Sequence, residues 1–298
     1  MEVHSKINVL ITGITGFTGV HLEKSLTQQG YAVYGTTLST PTSKNHFKCN
    51  ILEEDSLIDI LNKIKFNYII HLAAISFVAA KDQKSIYNVN IFGTLNLLNV
   101  VEKLKISPDK ILIASSAAVY GNIDGELTEE MCPNPVNHYG NSKLVMENMV
   151  KQYFERLNIV IVRPFNYTGI GQDPNFLIPK IVSHFKLKKS HIELGNLNTF
   201  REYNDVKYVT DIYIELLKST YKSGVINVSS GNTYSISEII KLMEKIANYS
   251  IEVKVNPDFI RENEIKQLKG STINLEKIIT KKIEPFSIEN TLKEMYTS

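Results

Sequence analysis

Tyr139 and Lys143 stand four residues apart in the run His138-Tyr-Gly-Asn-Ser-Lys-Leu-Val-Met-Glu147. On a helix that spacing puts a phenol and an ammonium on one face. Such a pair can move a proton to or from a carbonyl oxygen. A tyrosine is a poor acid or base near neutrality because its ordinary pKa is about 10, but a cation one turn away favours the phenolate and is expected to bring it into a useful range. Upstream, Thr12-Gly13-Ile-Thr-Gly16-Phe-Thr-Gly19 is a glycine-rich turn of the type that cradles a dinucleotide pyrophosphate. It follows a short buried-strand pattern over 7–12 and precedes a helical run that Gly30 stops. The three glycines then have separate tasks: a tight turn, a close backbone approach to phosphates, and close packing of helix on strand. Proton chemistry beside a hydride carrier points to a redox enzyme.

The elements that must position these groups repeat along the chain. Strand-like apolar segments at 7–12, 31–36, 68–73, 110–115 and 158–163 are separated by helical stretches, among them 18–29, about 86–104 and the Tyr139 helix. Strands separated by helices imply an α/β fold with a parallel, doubly wound sheet, because parallel neighbours need a crossover connection. Ligands then bind at the carboxyl ends of the strands. Residues 1–163 read as the dinucleotide-binding domain, with a returning segment near 203–228 that includes the strand-like 224–228. Residues 164–202 and 229–298, where Gly169, Gly171, Pro174 and Pro179 loosen the pattern, read as a smaller substrate-binding lobe.

Composition narrows the classes. A chain of 298 residues can bury a full core, and 33 basic against 31 acidic side chains give a net charge of +2, which offers no electrostatic case for nucleic acid or a membrane surface. The Lys186, Lys188, Lys189 cluster reads as a solvated helix end. Cys49 and Cys132 form neither metal-ligand spacing nor a disulfide framework, so no metal is expected. With no cleavable apolar leader and no run near 18 apolar residues, the expectation is a soluble cytoplasmic protein.

The ordered segments Thr12–Gly19, His71-Leu-Ala-Ala74, Asn90-Ile-Phe-Gly-Thr94, Ser115-Ser116-Ala-Ala-Val-Tyr-Gly121, Tyr139-x-x-x-Lys143 and Arg163-Pro-Phe-Asn166 together resemble the extended short-chain dehydrogenase/reductases that act on nucleotide sugars. The resemblance implies a Rossmann sheet, a homodimer formed through the helices near 86–104 and 139–157, and a catalytic set of Ser116, Tyr139 and Lys143. It further implies cofactor contacts from Gly13, Thr15, Gly16, Phe17, Thr18, Gly19, Thr37, Asn50, Ile51, Leu72, Ala73, Ala74, Asn90 and Pro164, besides Tyr139 and Lys143. Within the family, Arg163–Gln172, Leu194–Leu197, Arg201–Val206 and Arg261–Ile265 are most similar to reductases of GDP-4-keto-6-deoxymannose. By that likeness Ser76, Ser116, Asn166, Lys180, Arg201, Arg261 and Glu264 face the nucleotide sugar. A planar guanidinium suits a pyrophosphate, and a carboxylate suits ribose or base donors.

Two departures sharpen the reading. Sugar-nucleotide 4,6-dehydratases place Asp-Glu after the catalytic Ser/Thr, and here Ala117 and Ala118 stand there, so dehydration is disfavoured and C4 carbonyl reduction or C4 epimerisation remains. At the end of the second strand, Val33-Tyr-Gly-Thr-Thr-Leu-Ser-Thr40 lacks the acid that binds an adenosine ribose and repels a 2′-phosphate, which favours NADPH with NADH tolerated. The expected reaction is reduction of an NDP-4-keto-6-deoxyhexose, GDP-linked by likeness, with a dTDP-linked substrate or a C4 epimerase as alternatives. A dinucleotide-binding regulatory subunit is the non-enzymatic alternative, and the joint presence of Ser116, Tyr139 and Lys143 argues against it.

Overall fold

The apolar runs form seven strands: β1 (Asn8–Thr12), β2 (Ala32–Thr37), β3 (His46–Lys48), β4 (Tyr68–His71), β5 (Lys110–Ala114), β6 (Ile159–Pro164) and β7 (Gly224–Val228). The computed structural model describes residues 6–76, 82–259, 266–281, 283–284 and 286–298. Every pairing in the sheet is parallel, in the spatial order β7-β6-β5-β4-β1-β2-β3. The chain winds outward in both directions from β1, so a crevice opens where β1 and β4 end side by side. Thr12 is in register with His71 on one side and Thr36 on the other.

Ten α-helices are described: α1 (Phe17–Gln28), α2 (Glu54–Lys63), α3 (Gln83–Tyr87), α4 (Thr94–Lys103), α5 (His138–Val150), α6 (Leu177–Lys186), α7 (Val206–Lys218), α8 (Ile236–Ala247), α9 (Ile273–Ile278) and α10 (Ile288–Thr297). Successive strand residues point to opposite faces, so each strand feeds two cores. Leu10, Ile69, Ile111 and Ile161 pack on Leu57 of α2, Leu97 of α4 and Met146 of α5. Val9, Ile70, Leu112 and Val162 pack on Leu22 of α1 and Val209 and Ile212 of α7. A third cluster joins α6, α8 and α10 through Ile181, Phe185, Ile239, Met243 and Leu292, away from the sheet. Among the described residues, no helix is long and apolar enough to cross a membrane.

The strand expected at 224–228 does return to the sheet, as β7 beside β6. The helix expected over 86–104 is instead interrupted. A π-helical turn, Asn88–Gly93, separates α3 from α4. There the Asn90 side chain reaches out to Ile75 and Ser142, and the missing Cβ of Gly93 admits the Ile51 side chain, so tertiary contacts widen the turn. The Tyr139 helix ends at Val150, followed by a 3₁₀ turn at Lys151–Tyr153. A small sheet of 125–127, 200–202, 233–235 and 267–270 was not foreseen.

Gly19 shows how tightly α1 meets the turn before it. A Cβ on Gly19 would lie 2.5 Å from the Ile14 carbonyl oxygen and 2.6 Å from that of Gly13, both backbone atoms with nowhere to go. Gly19→Ala should therefore lower stability by about 1–3 kcal/mol, read by urea unfolding. Unchanged stability would mean that the helix start can shift without cost.

Candidate active site

One hydroxyl organises the floor of the crevice. Thr12 Oγ1 accepts from the amides of Leu72 and Ala73, each at 3.2 Å, and meets His71 Nδ1 at 2.7 Å. His71 Nε2 lies 2.9 Å from Thr94 Oγ1, which donates to the Asn90 carbonyl at 2.8 Å. Because the Thr94 proton is committed, His71 must donate from Nε2 and accept the Thr12 proton on Nδ1, which fixes a neutral tautomer. Burial agrees: it pushes the imidazole down to about 3, and the nearby Lys143 cation adds to the effect.

Above this floor Gly13 turns with φ +73°, and a Cβ there would stand 3.0 Å from the Ala73 backbone. Helix α1 starts at Gly16 with no side-chain cap and no acidic residue in its first turn. Its amino end, the positive end of the helix dipole, is thus built for an anionic group. Thr15 is exposed, and its hydroxyl meets that of Thr37 at 2.9 Å, which in turn meets Ser39 Oγ at 2.9 Å. Phe17 stacks on Tyr167 with ring centres 5.8 Å apart, and Thr18 Oγ1 lies 2.7 Å from the Tyr167 hydroxyl. These contacts pin the loop after β6 to the start of α1.

The proton-transfer group faces the same crevice from the other side. Asn137 caps α5 by accepting from the Gly140 amide at 2.8 Å, and the helix then carries Tyr139, Ser142, Lys143 and Glu147 on its buried face. Ser116 follows β5 and caps a 3₁₀ turn, Ala117–Tyr120, accepting from the Ala118 amide at 3.1 Å. Lys143 Nζ donates to the Ala114 carbonyl at the end of β5, at 2.7 Å. Burial pushes the Tyr139 phenol up to about 12, against the pull of its hydrogen bond with Ser116, and Tyr167 adds to the rise. Burial pushes Lys143 down to about 8, while Glu147 opposes the fall. The expectation that Lys143 would bring Tyr139 into a lower range is therefore corrected: desolvation of the phenol outweighs the lowering by its Ser116 hydrogen bond. The site as it stands holds a protonated tyrosine, the form that can give a proton.

This arrangement can be set beside known proteins. A family model described as GDP-mannose 4,6 dehydratase matches residues 10–295. The chain belongs to that family. It is an extended short-chain dehydrogenase/reductase family with the Rossmann-like sheet described above. GDP-6-deoxy-D-talose 4-dehydrogenase of Aggregatibacter actinomycetemcomitans is 35% identical over 97% of both chains. GDP-6-deoxy-D-mannose reductase of Pseudomonas aeruginosa is 31% identical over 90% of this chain and 89% of that one. Among solved structures, a putative epimerase from Burkholderia cenocepacia superposes with a TM-score of 0.92 at 35% identity, covering 98% of this chain and 97% of that one. RMD from Pseudomonas aeruginosa in complex with NADPH gives 0.86 at 28% identity, covering 98% of each chain.

The remaining residues expected to bind cofactor or substrate in this family member fall into three groups. Leu72, Ala73 and Ala74 line the crevice floor beside Gly13, and Pro164 is buried at the end of β6. Asn90 is buried and fully engaged: it accepts from the Ile75 amide at 2.8 Å and donates to the Ile75 carbonyl and to Ser142 Oγ. Asn50 bonds Glu53 and the Leu52 amide, while Ile51 is buried against Gly93. Farther out, Ser76 and Asn166 are exposed. Lys180 donates to the Glu193 carbonyl at 2.9 Å and lies 4.9 Å from the Phe259 ring centre. Arg201 donates to the Phe200 carbonyl at 2.8 Å. Arg261 and Glu264 lie outside the described residues.

Sequence reasoning passed over His71, Tyr167, Glu147 and the ionic role of Arg163. Glu147 carried one available signal, its position four residues beyond Lys143 on the same helical face. Among the described residues, no group of three or more His, Cys, Asp or Glu side chains is placed to hold a metal ion.

The neutral His71 ties stability to pH. Its imidazole has an ordinary value of 6.5 and is held near 3 in the fold. Below 6.5 the unfolded chain gains a proton that the folded one refuses until near 3, so the stability is fully present above 6.5 and declines with pH through that window. The slope for one such group is about 1.4 kcal/mol per pH unit. Urea unfolding between pH 7 and pH 5 should show a shallower decline in His71→Gln than in the unaltered protein. Equal slopes would mean that the folded imidazole titrates normally.

Proposed function

We propose that the protein reduces the C4 carbonyl of a GDP-linked 4-keto-6-deoxyhexose, using NADPH in preference to NADH. The observation that carries this reading is a buried, protonated Tyr139 beside Ser116 and Lys143, across the crevice from the uncapped start of α1. The two named relatives add the substrate class. D-Talose and D-mannose differ only at C4, so oxidation at that carbon removes the difference and both relatives' sugars share one 4-keto form. The Pseudomonas structure with NADPH and the absence of a carboxylate on 36–40 favour the phosphorylated cofactor.

The residues fit a nicotinamide dinucleotide: Gly13 leaves room that a Cβ would fill, and α1 offers its dipole to the pyrophosphate. When bound, the cofactor supplies a hydride for C4. Ser116 hydrogen-bonds the carbonyl oxygen as negative charge develops on it, and Tyr139 delivers the proton. Lys143 binds the nicotinamide ribose and offsets the phenolate left behind. Ser76 from the dinucleotide-binding domain, and Asn166, Lys180, Arg201, Arg261 and Glu264 from the segments 164–202 and 229–298, hold the nucleotide sugar; those segments carry the α6–α8–α10 cluster. A homodimer through α4 and α5 would cover Phe92, Val145 and Met149, which are exposed here. The family's dehydratase name does not extend to this site, because Ala117 and Ala118 cannot move protons.

A C4 epimerase is the second reading, favoured by the Burkholderia structure and by a putative UDP-glucose 4-epimerase of Methanocaldococcus jannaschii, 31% identical over 79% of this chain. The redox balance separates the two. A reductase oxidises one NADPH per product, while an epimerase returns its hydride to the sugar. Incubation with GDP- and dTDP-4-keto-6-deoxy sugars should consume NADPH stoichiometrically, and NMR of the product reads the base accepted and the C4 configuration. Inversion at C4 of a GDP-linked 4-hydroxy-6-deoxyhexose with no net change in cofactor, together with no NADPH oxidation by the 4-keto sugars, would replace the reductase reading. Tyr139→Phe should lower kcat by about 10²–10⁴ with cofactor affinity little changed. Near-normal turnover in the folded variant would remove Tyr139 from the mechanism.

Cofactor preference has its own test. An acid at Thr37 would face the adenosine ribose, so Thr37→Asp should move the kcat/KM preference from NADPH towards NADH by repelling the 2′-phosphate. A preference for NADH in the unaltered protein would overturn the reading of this loop.

A further inference from the structure

One turn beyond Lys143, α5 carries a carboxylate with no access to water. Glu147 is 0% exposed. Its Oε1 accepts from Ser115 Oγ at 2.5 Å and Arg163 Nε at 2.9 Å, and its Oε2 accepts from an Arg163 terminal nitrogen at 2.6 Å. Arg163 is 2% exposed and donates onward to the Tyr120 hydroxyl at 3.0 Å, which donates to Asn227 Oδ1 at 2.7 Å. Stability alone is a weak account of such a pair, since well-packed apolar residues of similar volume often serve as well.

Its partners are more informative. Ser115 immediately precedes Ser116, and Tyr120 ends the turn that Ser116 begins. Arg163 lies on β6, the neighbour of β5. One carboxylate therefore ties α5 to the exit of β5, and these two elements set Ser116 relative to Tyr139 and Lys143. The ionisable groups around Lys143 are Tyr139 and Glu147 on α5, neutral His71 on β4 and, behind Glu147, Arg163 on β6. Glu147 is the anion of this set.

Building on the active-site assignment above, we propose that Glu147, clamped by Arg163, is a positioning residue: it locks the Ser116 turn to α5 and serves as the counter-charge to the Lys143 ammonium. Nothing in this role requires Glu147 to touch substrate or cofactor.

The first test needs no substrate. In protein labelled with ¹³C at lysine Cε, the resonance missing from Lys143→Met identifies Lys143, and its titration midpoint is followed by NMR. Glu147→Gln should lower that midpoint by about one unit or more, and Arg163→Met should raise it, because opposite charges have been removed. The double variant, which leaves no unpaired buried ion, should fall between them. The second test separates geometry from charge and covers the case in which Glu147→Gln does not fold. Glu147→Asp keeps the charge but shortens the strut, so kcat for the keto sugar should fall about a hundredfold with KM little changed. An unshifted Lys143 midpoint in folded Glu147→Gln, a double variant no lower than Arg163→Met, or an unchanged kcat in Glu147→Asp overturns the proposal. If the unaltered protein turns over no keto sugar, the reductase reading fails and the midpoint shift alone decides this one.

Discussion

The Thr12 hydroxyl holds together the place on which everything else is built. Two parallel strands diverge after Thr12 and His71, and the backbone amides that follow need acceptors there; that of Leu72 is shared between the Thr12 carbonyl, at 3.2 Å, and the Thr12 side chain. A single Oγ accepts two of them, from Leu72 and Ala73, and passes its proton to His71. A buried amide without an acceptor costs more than an ordinary hydrogen bond contributes, so this position needs a small hydroxyl rather than the valine or isoleucine that strand propensity favours. The next residue must then turn with positive φ within 3.0 Å of the Ala73 backbone, which only glycine tolerates. The anion-binding end of α1 follows from that turn, and so does the crevice.

Burial is the second theme, and it acts differently on each group. The phenol of Tyr139 is made a weaker acid and the ammonium of Lys143 a stronger one, since desolvation disfavours whichever form is charged. Desolvation alone thus pulls both groups away from the charged form. The buried Glu147 works against this at Lys143, and the Ser116 hydrogen bond works against it at Tyr139. With the phenol near 12 and the ammonium near 8, both groups hold their protons at neutrality, and the counteracting neighbours matter most at Lys143.

How much of this was legible in the sequence follows from the range of the interactions. Six of the seven strands were readable as short apolar runs, whereas β3 (His46–Lys48), which follows β2 with no helix between, was not; the Thr12–Gly19 turn was readable because its glycines are local. The π-turn at Asn88–Gly93 was not, since Asn90 finds Ile75 and Ser142 only after the chain has folded. The strands at 125–127 and 267–270 are three and four residues long and 140 residues apart, so neither has a pattern without the other. The direction of the Tyr139 shift was misjudged because helical spacing reports the nearby cation but not the degree of burial. Glu147 and Arg163 were quoted in separate motifs, and only the fold puts them in one ion pair.

The division of labour between sheet and lobe explains why one scaffold can host several nucleotide-sugar reactions. In the proposed function the groups that handle the proton are held by strands and by α5, where Ser142 bonds the Tyr139 carbonyl, Lys143 the Ala114 carbonyl, and Glu147 both Ser115 and Arg163. In the same reading the groups that meet the substrate lie outside the main sheet: Lys180 on α6, where it bonds the Glu193 carbonyl and lies 4.9 Å from the Phe259 ring centre, and Arg201 on the short strand 200–202. Ala117 and Ala118 follow Ser116 on one short turn, where Ala117 is buried and the Ala118 amide bonds Ser116 Oγ, so an acid and a base there would change both the protons available and the packing beside Ser116. Altering the lobe would change which face of a keto sugar meets the cofactor without disturbing the sheet. Under the proposed function the configuration produced at C4 would follow from how the lobe orients the ring, and the Ser116, Tyr139 and Lys143 chemistry would serve either hand.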